Sequence, residues 1–492
     1  MGKSVKKNYI YNLIYQILTL VLPLVTTPYL SRILGADGIG TVSYAESIVS
    51  YFVLFATMGI TTYGQREISY VQDSLEDRSR VFWETQILKL VTTTVMLAVY
   101  MAFAFFVVDS AITWLYLILA VQVFNVAADV VWFFQGMEEF GKIVFRNIVV
   151  RVLLLVFIFV FVRTKDDLVY YVLGNVAINL LSALSIWGYL PKYVKKVPFK
   201  SLKPFRNFKT VLALFVPTIA IQIYTVLDKT MIGVITGSAY ENGYYEQAIK
   251  IARMALTVVG ALGTVMIPRI GHHYEKGETE LVQNWMYRSY RFVWLLAIPM
   301  CIGLFFVAEN FVPWFFGPGY DGVVPLLKIL SFLILAIGVN GVTGTQYLIP
   351  TRRENTFTLT VVIGAVVNFA FNLFLIYFFQ SIGAAIASVI AETVIAVVQL
   401  IIVRKELSIF KILKSCVKYL IAGVVMGVLL FVENMFLSPS ILNTLIMVVS
   451  GVAVYFAVLL LLRDNFVVSN IKAVLGKFRK KTSDEGVNEN EV

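Results

Sequence analysis

The chain has few cysteines, histidines and charged residues for its length. Its 492 residues include two cysteines, Cys301 and Cys416, and two adjacent histidines, His272 and His273. Both cysteines fall in or beside apolar stretches, so the sequence predicts neither a disulfide framework nor a metal site. The histidines are interpreted as a solvated pair. Charged residues make up 14% of the chain and hydrophobic residues 59%, a composition that excludes a water-soluble core of ordinary proportions.

Motifs typical of enzymes are also missing. The chain has no Walker A sequence, which argues against ATP hydrolysis. The segment GPGYDG formally matches a dinucleotide fingerprint, but no strand precedes it. The gaps on the less basic side of the apolar stretches are too short to hold a catalytic surface. We therefore predict no catalytic residue, no cofactor and no enzymatic activity.

Long apolar stretches dominate what is present. Fourteen of them have about the 20 residues that a transmembrane helix requires. They lie near residues 10–30, 40–64, 82–106, 111–135, 143–162, 168–189, 211–234, 243–268, 292–308, 322–350, 355–379, 382–402, 419–436 and 440–462. The first stretch resembles a signal peptide, but it is long and lacks a cleavage site, so we interpret it as a retained span.

Lysine and arginine alternate between the gaps. Of the 41 basic residues, 32 lie in every second gap or at the termini, and only Arg32, Arg163 and Lys165 lie in the others. By the positive-inside rule, both termini are predicted to be cytoplasmic. The net charge of +11 needs no nucleic-acid partner, because topology and anionic membrane lipids explain it.

The longest basic loop divides the chain after six spans and carries Pro191, Pro198 and Pro204. The segment around Pro23 weakly resembles the segment around Pro217, which favours two parallel repeats. The predicted fold is all-α, a polytopic membrane protein with 14 transmembrane helices, in which two six-helix lobes form a parallel pseudo-repeat around a central cavity. The predicted divisions are an N-lobe at 1–190, a basic linker at 191–209, a C-lobe at 210–403, two C-terminal helices at 404–462 and a disordered cytoplasmic tail at 463–492.

Polar residues recur at helical spacing inside several spans, although a charge at bilayer depth costs about 3 kcal/mol or more. The helix faces that carry these residues should therefore turn toward polar groups of other helices or toward water. They comprise Thr218, Gln222, Thr225 and Lys229 in span 7; Glu246, Lys250, Arg253 and Thr257 in span 8; Ser43, Glu46, Ser47 and Ser50 in span 2; and Gln122, Asn125 and Asp129 in span 4.

The topology places one group of these charges toward the outer side of the membrane. The group is Arg32, Glu46, Asp228, Lys229, Glu246, Lys250 and Arg253, from the first two helices of each lobe. We interpret it as the lining of a water-filled cavity. The alternative is a set of ion pairs that only hold the lobes together, such as Glu246 with Lys250 at i, i+4.

Four segments in order resemble the polysaccharide transporters of the multidrug/oligosaccharidyl-lipid/polysaccharide exporter superfamily, the oligosaccharide flippases. They are KNYIYNLIYQILTLVLPLVTTPYLSRILGADGIG, WFFQGMEEF, LDKTMIG and FFGPGYDGVVPLLKIL. The resemblance implies two lobes around a central cavity, alternating access, and a bacterial cytoplasmic membrane location. It also implies an oligosaccharide substrate joined through pyrophosphate to a polyprenol, for capsule, exopolysaccharide or O-antigen. Fourteen helices are similar to the lipid II flippases of the superfamily, whereas the motifs look more like the repeat-unit flippases.

For such a substrate, the polar residues fall into two hypothetical groups. Lys229, Lys250, Arg253 and Arg32 would bind the pyrophosphate, and Gln222, Thr218 and Asn125 would donate hydrogen bonds to sugars. Glu46, Asp228, Glu246 and Asp129 would couple transport to H+ or Na+, unless the membrane potential alone drives it.

Other functions compete with this interpretation. A drug exporter of the same superfamily would favour cations, whereas the predicted cavity is basic. A membrane polysaccharide polymerase or glycosyltransferase needs an exterior loop that is absent from the sequence. A scaffold protein would leave the buried charges unexplained. The expected partners are the lipid-linked oligosaccharide, membrane lipids, and the glycosyltransferases and polymerase of the same pathway.

Overall fold

A computed structural model of the chain describes residues 5–261 and 263–469, and within those ranges it contains helices and no strand. The all-α prediction is therefore confirmed for the described residues. The α-helices are α1 Val5–Thr57, α2 Ile60–Tyr70, α3 Leu75–Phe106, α4 Thr113–Ala128, α5 Val131–Gly136, α6 Phe140–Phe161, α7 Leu168–Ser185, α8 Phe208–Thr236, α9 Ala239–Gly260, α10 Gly263–Glu275, α11 Thr279–Phe316, α12 Val323–Thr343, α13 Glu354–Val403, α14 Ile409–Phe436 and α15 Ile441–Leu461.

Two helices are each broken by a kink that lies between two predicted spans. In α1 the kink is at Gly35, whose φ of 71° is readily adopted because glycine has no Cβ. In α13 it is at Gln380, with a φ of 54°. A Cβ atom at Gly383 would lie 2.1 Å from the carbonyl oxygen of Leu375, so the chain on the two sides of the second kink is in close contact. Both kinks thus turn the chain without an intervening loop.

Local sequence explains several other helix ends. Ser74, Ser408 and Ser440 precede α3, α14 and α15, and each hydroxyl accepts a hydrogen bond from a backbone N–H of the first turn. Gly237 ends α8 in the left-handed conformation, with a φ of 63°.

Apolar side chains cover the exposed faces of the helices. Within the described residues, ten helical stretches are long and apolar enough to cross a membrane, and two of them contain the kinks. Phe106 and Phe436 remain 87% and 82% exposed, which is expected of side chains that face lipid. The chain is therefore a multi-pass membrane protein, while the number of fourteen spans stays a prediction.

The described chain forms two compact units. The first unit contains the chain up to Gln247 together with Phe316–Gly322 and Asn368–Ala384. The second unit contains Ala248–Phe315, Val323–Val367 and the chain from Ala385 onward. The predicted lobes at 1–190 and 210–403 divide the chain at other points and stay predictions, as does the cavity between them. The predicted tail lies outside the described residues from position 470 onward.

Each unit has its own apolar core. In the first unit, Phe82 stacks on Trp132 at 5.7 Å between ring centroids, and both side chains are fully buried. In the second unit, a larger cluster joins α11, α12, α14 and α15 and includes Tyr290, Tyr419 and Tyr455. These cores give the polar side chains fixed positions.

Candidate functional site

Two glycines bring α1 and α9 into backbone contact in the first unit. A Cβ atom at Gly40 would lie 1.7 Å from the carbonyl oxygen of Ala239, and one at Gly243 would lie 2.0 Å from that of Ala36. No larger residue fits at either position without moving a helix. This close approach places the polar face of α1 beside the polar residues of α8 and α9.

Lys229 of α8 and Glu246 of α9 form an ion pair in this region. Their side chains are only 20% and 19% exposed. Ser43 of α1 donates a hydrogen bond to Oε2 of Glu246 over 3.0 Å. Three helices therefore contribute to one partly buried charged cluster, which contains two of the predicted site residues.

Hydroxyl groups extend this polar contact along α1. Thr230 of α8 donates a hydrogen bond to Oγ of Ser47 over 3.0 Å, and the hydroxyl oxygen of Tyr51 lies 3.1 Å from that of Thr230. Because Ser43, Ser47 and Tyr51 are spaced four residues apart, they lie on one face of α1. The predicted polar stripe of span 2 thus contacts α8 and α9.

Asp228 lies in a second polar cluster and is 9% exposed. Its Oδ1 accepts hydrogen bonds from Asn368 over 3.1 Å and from Asn372 over 2.7 Å, and Oδ2 accepts one from the Tyr245 hydroxyl. The Oδ1 atom of Asn372 is buried and accepts no hydrogen bond from a described residue. Sequence reasoning missed Asn368, Asn372 and Tyr245, although two asparagines at i, i+4 in an apolar helix are a readable signal.

Glu46 points toward α4 and accepts a hydrogen bond from Nε2 of Gln122 over 3.4 Å. Asn125 follows Gln122 by three residues, and its Oδ1 is buried without a partner among the described residues. The structure therefore places Glu46 near the polar face of α4, and the amide of Asn125 retains unused hydrogen-bonding capacity.

Asp129 lies at the junction of α4 and α5. Its Oδ1 accepts a hydrogen bond from the backbone N–H of Val131 over 3.0 Å, and its carbonyl oxygen accepts one from Nζ of Lys89 over 2.6 Å. Both interactions hold the junction together. The structure does not bring Asp129 to the cluster of Lys229 and Glu246, and its proposed part in ion coupling stays a prediction.

Arg32 is exposed and lies against the loop Gly317–Gly322. A Cβ atom at Gly317 would lie 3.0 Å from Cγ of Arg32. The hydroxyl of Tyr320 donates a hydrogen bond to the carbonyl oxygen of Ser31 over 3.2 Å, and Nε2 of Gln247 donates one to Oγ of Ser31 over 3.2 Å. The GPGYDG segment therefore packs on α1, a role that its sequence alone did not indicate.

The other predicted residues lie on α8 and α9. Thr218 donates a hydrogen bond to the carbonyl oxygen of Leu214 over 3.1 Å, and both Thr218 and Gln222 are partly exposed on α8. Lys250 and Arg253 follow on α9 and belong to the second unit, where Lys250 is partly exposed and Arg253 exposed. Their proposed contact with a substrate stays a prediction.

Where these helices meet, the two clusters provide one ammonium group together with carboxylates, amides and hydroxyl groups. Such groups replace the hydrogen bonds that a polar molecule loses when it leaves water. In the described residues, no group of three or more histidine, cysteine, aspartate or glutamate side chains has the arrangement of a metal site. The side chains of the two clusters can thus bind polar and charged groups.

Comparison with known proteins identifies a matching family and similar relatives. Residues 5–274 match the family described as "Polysaccharide biosynthesis protein". A "Putative O-antigen transporter" of Escherichia coli K12 is 24% identical over 415 residues, which cover 82% of this chain and 97% of that protein.

Two solved structures share the fold. The "Lipid II flippase MurJ, inward closed conformation" aligns with a TM-score of 0.70 and 16% identity, covering 93% of this chain and 99% of the other. An inward-facing multidrug resistance MATE family transporter of the MOP superfamily aligns with a TM-score of 0.59 and 15% identity, covering 80% and 98%. The matched family spans more than half of the sequence, and the chain therefore belongs to the polysaccharide biosynthesis protein family.

Proposed function

We propose that this protein is a transporter, not an enzyme, and that it moves lipid-linked oligosaccharides across the membrane. Specifically, the protein would be a flippase that carries polyprenyl-pyrophosphate-linked repeat units from the inner to the outer leaflet by alternating access. The observation that carries it is the partly buried charged cluster of Lys229, Glu246 and Ser43, to which three helices of a membrane protein contribute. The E. coli relative and the lipid II flippase fold support the same substrate class.

The physical need for a polar path supports the proposal. Each sugar hydroxyl moved into hydrocarbon without a hydrogen bond costs several kcal/mol, and an unpaired pyrophosphate would cost far more. Helices that present cations and amides to the substrate reduce this cost. The proposed pyrophosphate ligands are Lys229, Lys250, Arg253 and Arg32, and Gln222, Thr218 and Asn125 are the proposed sugar ligands.

The pairing of Lys229 with Glu246 adds a requirement. In the described arrangement the ammonium of Lys229 is neutralised by a carboxylate, so an anionic substrate must compete with Glu246. Protonation of Glu246 would release Lys229 for the pyrophosphate. Proton uptake by Glu246 would then be coupled to substrate binding, in accordance with the proposed role of this residue in ion coupling.

Asp228 is the second proposed coupling residue. Its carboxylate is buried beside two asparagines, and no residue in the described part of the chain donates a hydrogen bond to Oδ1 of Asn372. Oxygen atoms of carboxylates and amides are the ligands that hard cations prefer. We therefore propose uptake of Na+ or H+ at Asp228. The membrane potential is an alternative driving force, because moving two negative charges outward in an inside-negative cell gains about 4 to 5 kcal/mol per 100 mV.

Flipping of a labelled polyprenyl-pyrophosphate oligosaccharide in proteoliposomes tests the function. Wild-type protein should move the label to the opposite leaflet, and Lys250→Gln with Arg253→Gln should slow this at least tenfold, as expected for the loss of two charge-assisted contacts of about 1 to 2 kcal/mol each. The matched control is Lys192→Gln with Lys196→Gln, two exposed lysines of the basic linker. Equal flipping by both double variants would reject the pyrophosphate role.

Imposed gradients of pH, Na+ and potential test the coupling in the same vesicles. Wild-type flipping should respond to one of the ion gradients, and Asp228→Asn should abolish that response while protein insertion stays normal. If flipping ignores all three gradients, both the ion coupling and the potential-driven alternative are wrong, whereas the flippase proposal itself stands.

A further inference from the structure

A basic cavity of about 400 Å³ lies in the second unit, between the start of α11 and the first turn of α14. Its walls include Asn284, Trp285, Tyr287, Arg288, Arg291 and Lys411. At roughly 30 Å³ per water molecule, it has room for about a dozen waters, or for a phosphate group with a glycerol-sized substituent. None of these residues belongs to the proposed substrate or ion sites.

Three cations line the cavity. Arg288, Arg291 and Lys411 are exposed, and none of them forms an ion pair with a carboxylate in the part of the chain that the structure describes. The nearby Glu406 is instead bound by Arg353, with both carboxylate oxygens at 2.8 Å. Among the described residues, the cavity therefore has three positive charges without a carboxylate in ion-pair contact, which favours an anion.

Aromatic rings hold two of these cations in place. The guanidinium of Arg288 lies 5.3 Å from the centre of the Trp285 ring, which Arg269 also contacts at 5.4 Å. Nζ of Lys411 lies 4.0 Å from the centre of the Tyr287 ring. Such cation–π contacts orient the cations without neutralising them. Trp and Tyr are also enriched where a protein crosses the membrane–water interface.

The cavity is preformed, because hydrogen bonds join its two walls. The Tyr287 hydroxyl accepts a hydrogen bond from the backbone N–H of Ser408 over 2.9 Å, and Nε2 of Gln283 donates one to the carbonyl oxygen of Glu406 over 2.8 Å. These bonds fix the first turn of α14 against α11. A ligand would then bind with little loss of conformational entropy in the protein.

The surroundings favour a lipid over a free anion. The apolar run of α11 begins directly after Arg291, so the cations lie at the end of a predicted membrane span, on the side predicted to be cytoplasmic. Beside Lys411, the apolar side chains of Phe410 and Leu413 are 75% and 53% exposed. Charged groups next to an exposed apolar face complement a molecule with a phosphate headgroup and an acyl chain.

We propose that this cavity binds an anionic glycerophospholipid of the cytoplasmic leaflet. Arg288, Arg291 and Lys411 surround the phosphate, Asn284 contacts the polar headgroup, and an acyl chain lies along Phe410 and Leu413. This site is separate from the proposed transport of oligosaccharides. Its test does not measure flipping, so either proposal can fail without the other.

Binding is tested with the full-length protein in nanodiscs of phosphatidylcholine that contain increasing fractions of phosphatidylglycerol. Native mass spectrometry counts the retained phosphatidylglycerol, and thermal unfolding reports stabilisation by the ligand. At about 1 kcal/mol for each cation near the lipid surface, Lys411→Gln should weaken binding about fivefold. Combined with Arg288→Gln and Arg291→Gln, it should weaken binding about a hundredfold.

The matched control replaces three exposed lysines of the linker, Lys192→Gln, Lys196→Gln and Lys200→Gln, which changes the net charge equally. Undiminished binding to this control supports a local site. Equal losses in both triple variants would show non-specific attraction and overturn the proposal. If the variant with all three cavity substitutions fails to fold, the single variant Lys411→Gln tests the proposal. Retention of wild-type binding by that single variant would overturn it.

Two competitors identify the source of the phosphate. Inorganic phosphate at millimolar concentration should not displace phosphatidylglycerol, because it lacks the acyl chain. Farnesyl pyrophosphate should compete only weakly. If either competitor displaces the phospholipid at concentrations at which phosphatidylglycerol itself binds, the cavity recognises free phosphate or prenyl pyrophosphate, and the phospholipid assignment is wrong.

Discussion

Lys229 and Glu246 illustrate how a membrane helix accommodates single charges. Each charge alone would be costly in partly dehydrated surroundings, and their pairing, with a hydrogen bond from Ser43, reduces that cost. Removal of one partner leaves the other charge uncompensated. Removal of both leaves a neutral polar contact.

This difference gives a prediction for stability. Lys229→Gln and Glu246→Gln should each destabilise the protein by about 1 to 3 kcal/mol, whereas the double variant should recover part of the loss, because no unpaired charge remains. Thermal unfolding in detergent measures the effect. A double variant that loses as much stability as the sum of both singles would contradict a direct pairing.

Glu406 is partly buried and accepts charge-assisted hydrogen bonds outside the predicted membrane spans. Burial acts to raise its pKa, but the hydrogen bonds from Arg353 and Tyr347 and the charge of Arg353 outweigh it, so the pKa of Glu406 lies below its ordinary value of 4.5. The stabilisation that this carboxylate provides is present above the ordinary value. It is lost as the pH falls through the lower value in the folded protein.

We therefore expect Glu406→Gln to be less stable than wild type at pH 7 and the difference to shrink below about pH 4.5. Unfolding midpoints at several pH values between 7 and 3.5 measure it. Glu354→Gln, at an exposed glutamate, is the control and should show no such convergence. A stability difference that is independent of pH would assign the effect of Glu406→Gln to packing instead.

At the scale of elements, the contact between α1 and α9 depends on residues without side chains. Gly40 and Gly243 let the backbones approach until an added Cβ atom would overlap the carbonyl oxygens of Ala239 and Ala36. The same contact brings Ser43 to Glu246. Helix spacing and the charged cluster are therefore coupled.

Gly243→Ala should consequently separate α1 from α9 and weaken the hydrogen bond of Ser43 to Glu246, lowering stability by about 1 to 3 kcal/mol. Disulfide cross-linking of cysteines introduced on α1 and α9, together with thermal unfolding, measures both effects. Gly260→Ala is the control on the same helix, because a Cβ atom there meets nothing within 4 Å. Equal cross-linking and stability in the two variants would refute the packing argument.

At the scale of the whole molecule, the alternation of basic gaps predicts the orientation. Lys196 is exposed in the longest basic loop, and Arg163 is exposed in a gap with few cations. An even number of spans would place both termini on the same side, and the basic residues near them predict that this side is the cytoplasm.

Single cysteines test this topology in intact cells, after Cys301 and Cys416 are replaced by serine. A membrane-impermeant maleimide added outside should label Arg163→Cys and not Lys196→Cys, while disrupted cells should show both labelled. Labelling of Lys196→Cys in intact cells would show that the predicted orientation is inverted. The proposed phospholipid site would then face the outer leaflet.

Much of the fold could be predicted because the membrane limits the possibilities. The length of an apolar stretch indicates a transmembrane helix, and the basic residues of a gap indicate the cytoplasmic side of the membrane. Each signal can therefore be read locally along the sequence. The kinks at Gly35 and Gln380 also fall between predicted spans, because the apolar stretches on either side of each kink are separate in the sequence. The candidate site was predicted only in part, since a stripe such as Ser43, Glu46 and Ser47 indicates a polar face but not its partner.

By itself, the sequence determined the all-helical class, the membrane location and the family, because composition and ordered segments do not depend on contacts between distant residues. Only the tertiary structure decided that Glu246 pairs with Lys229, that Asn368 and Asn372 bind Asp228, and that Asp129 holds a helix junction. These partners are separated by up to 144 positions. Such pairings follow from how helices pack against one another, which hydropathy and helical spacing along the chain do not specify.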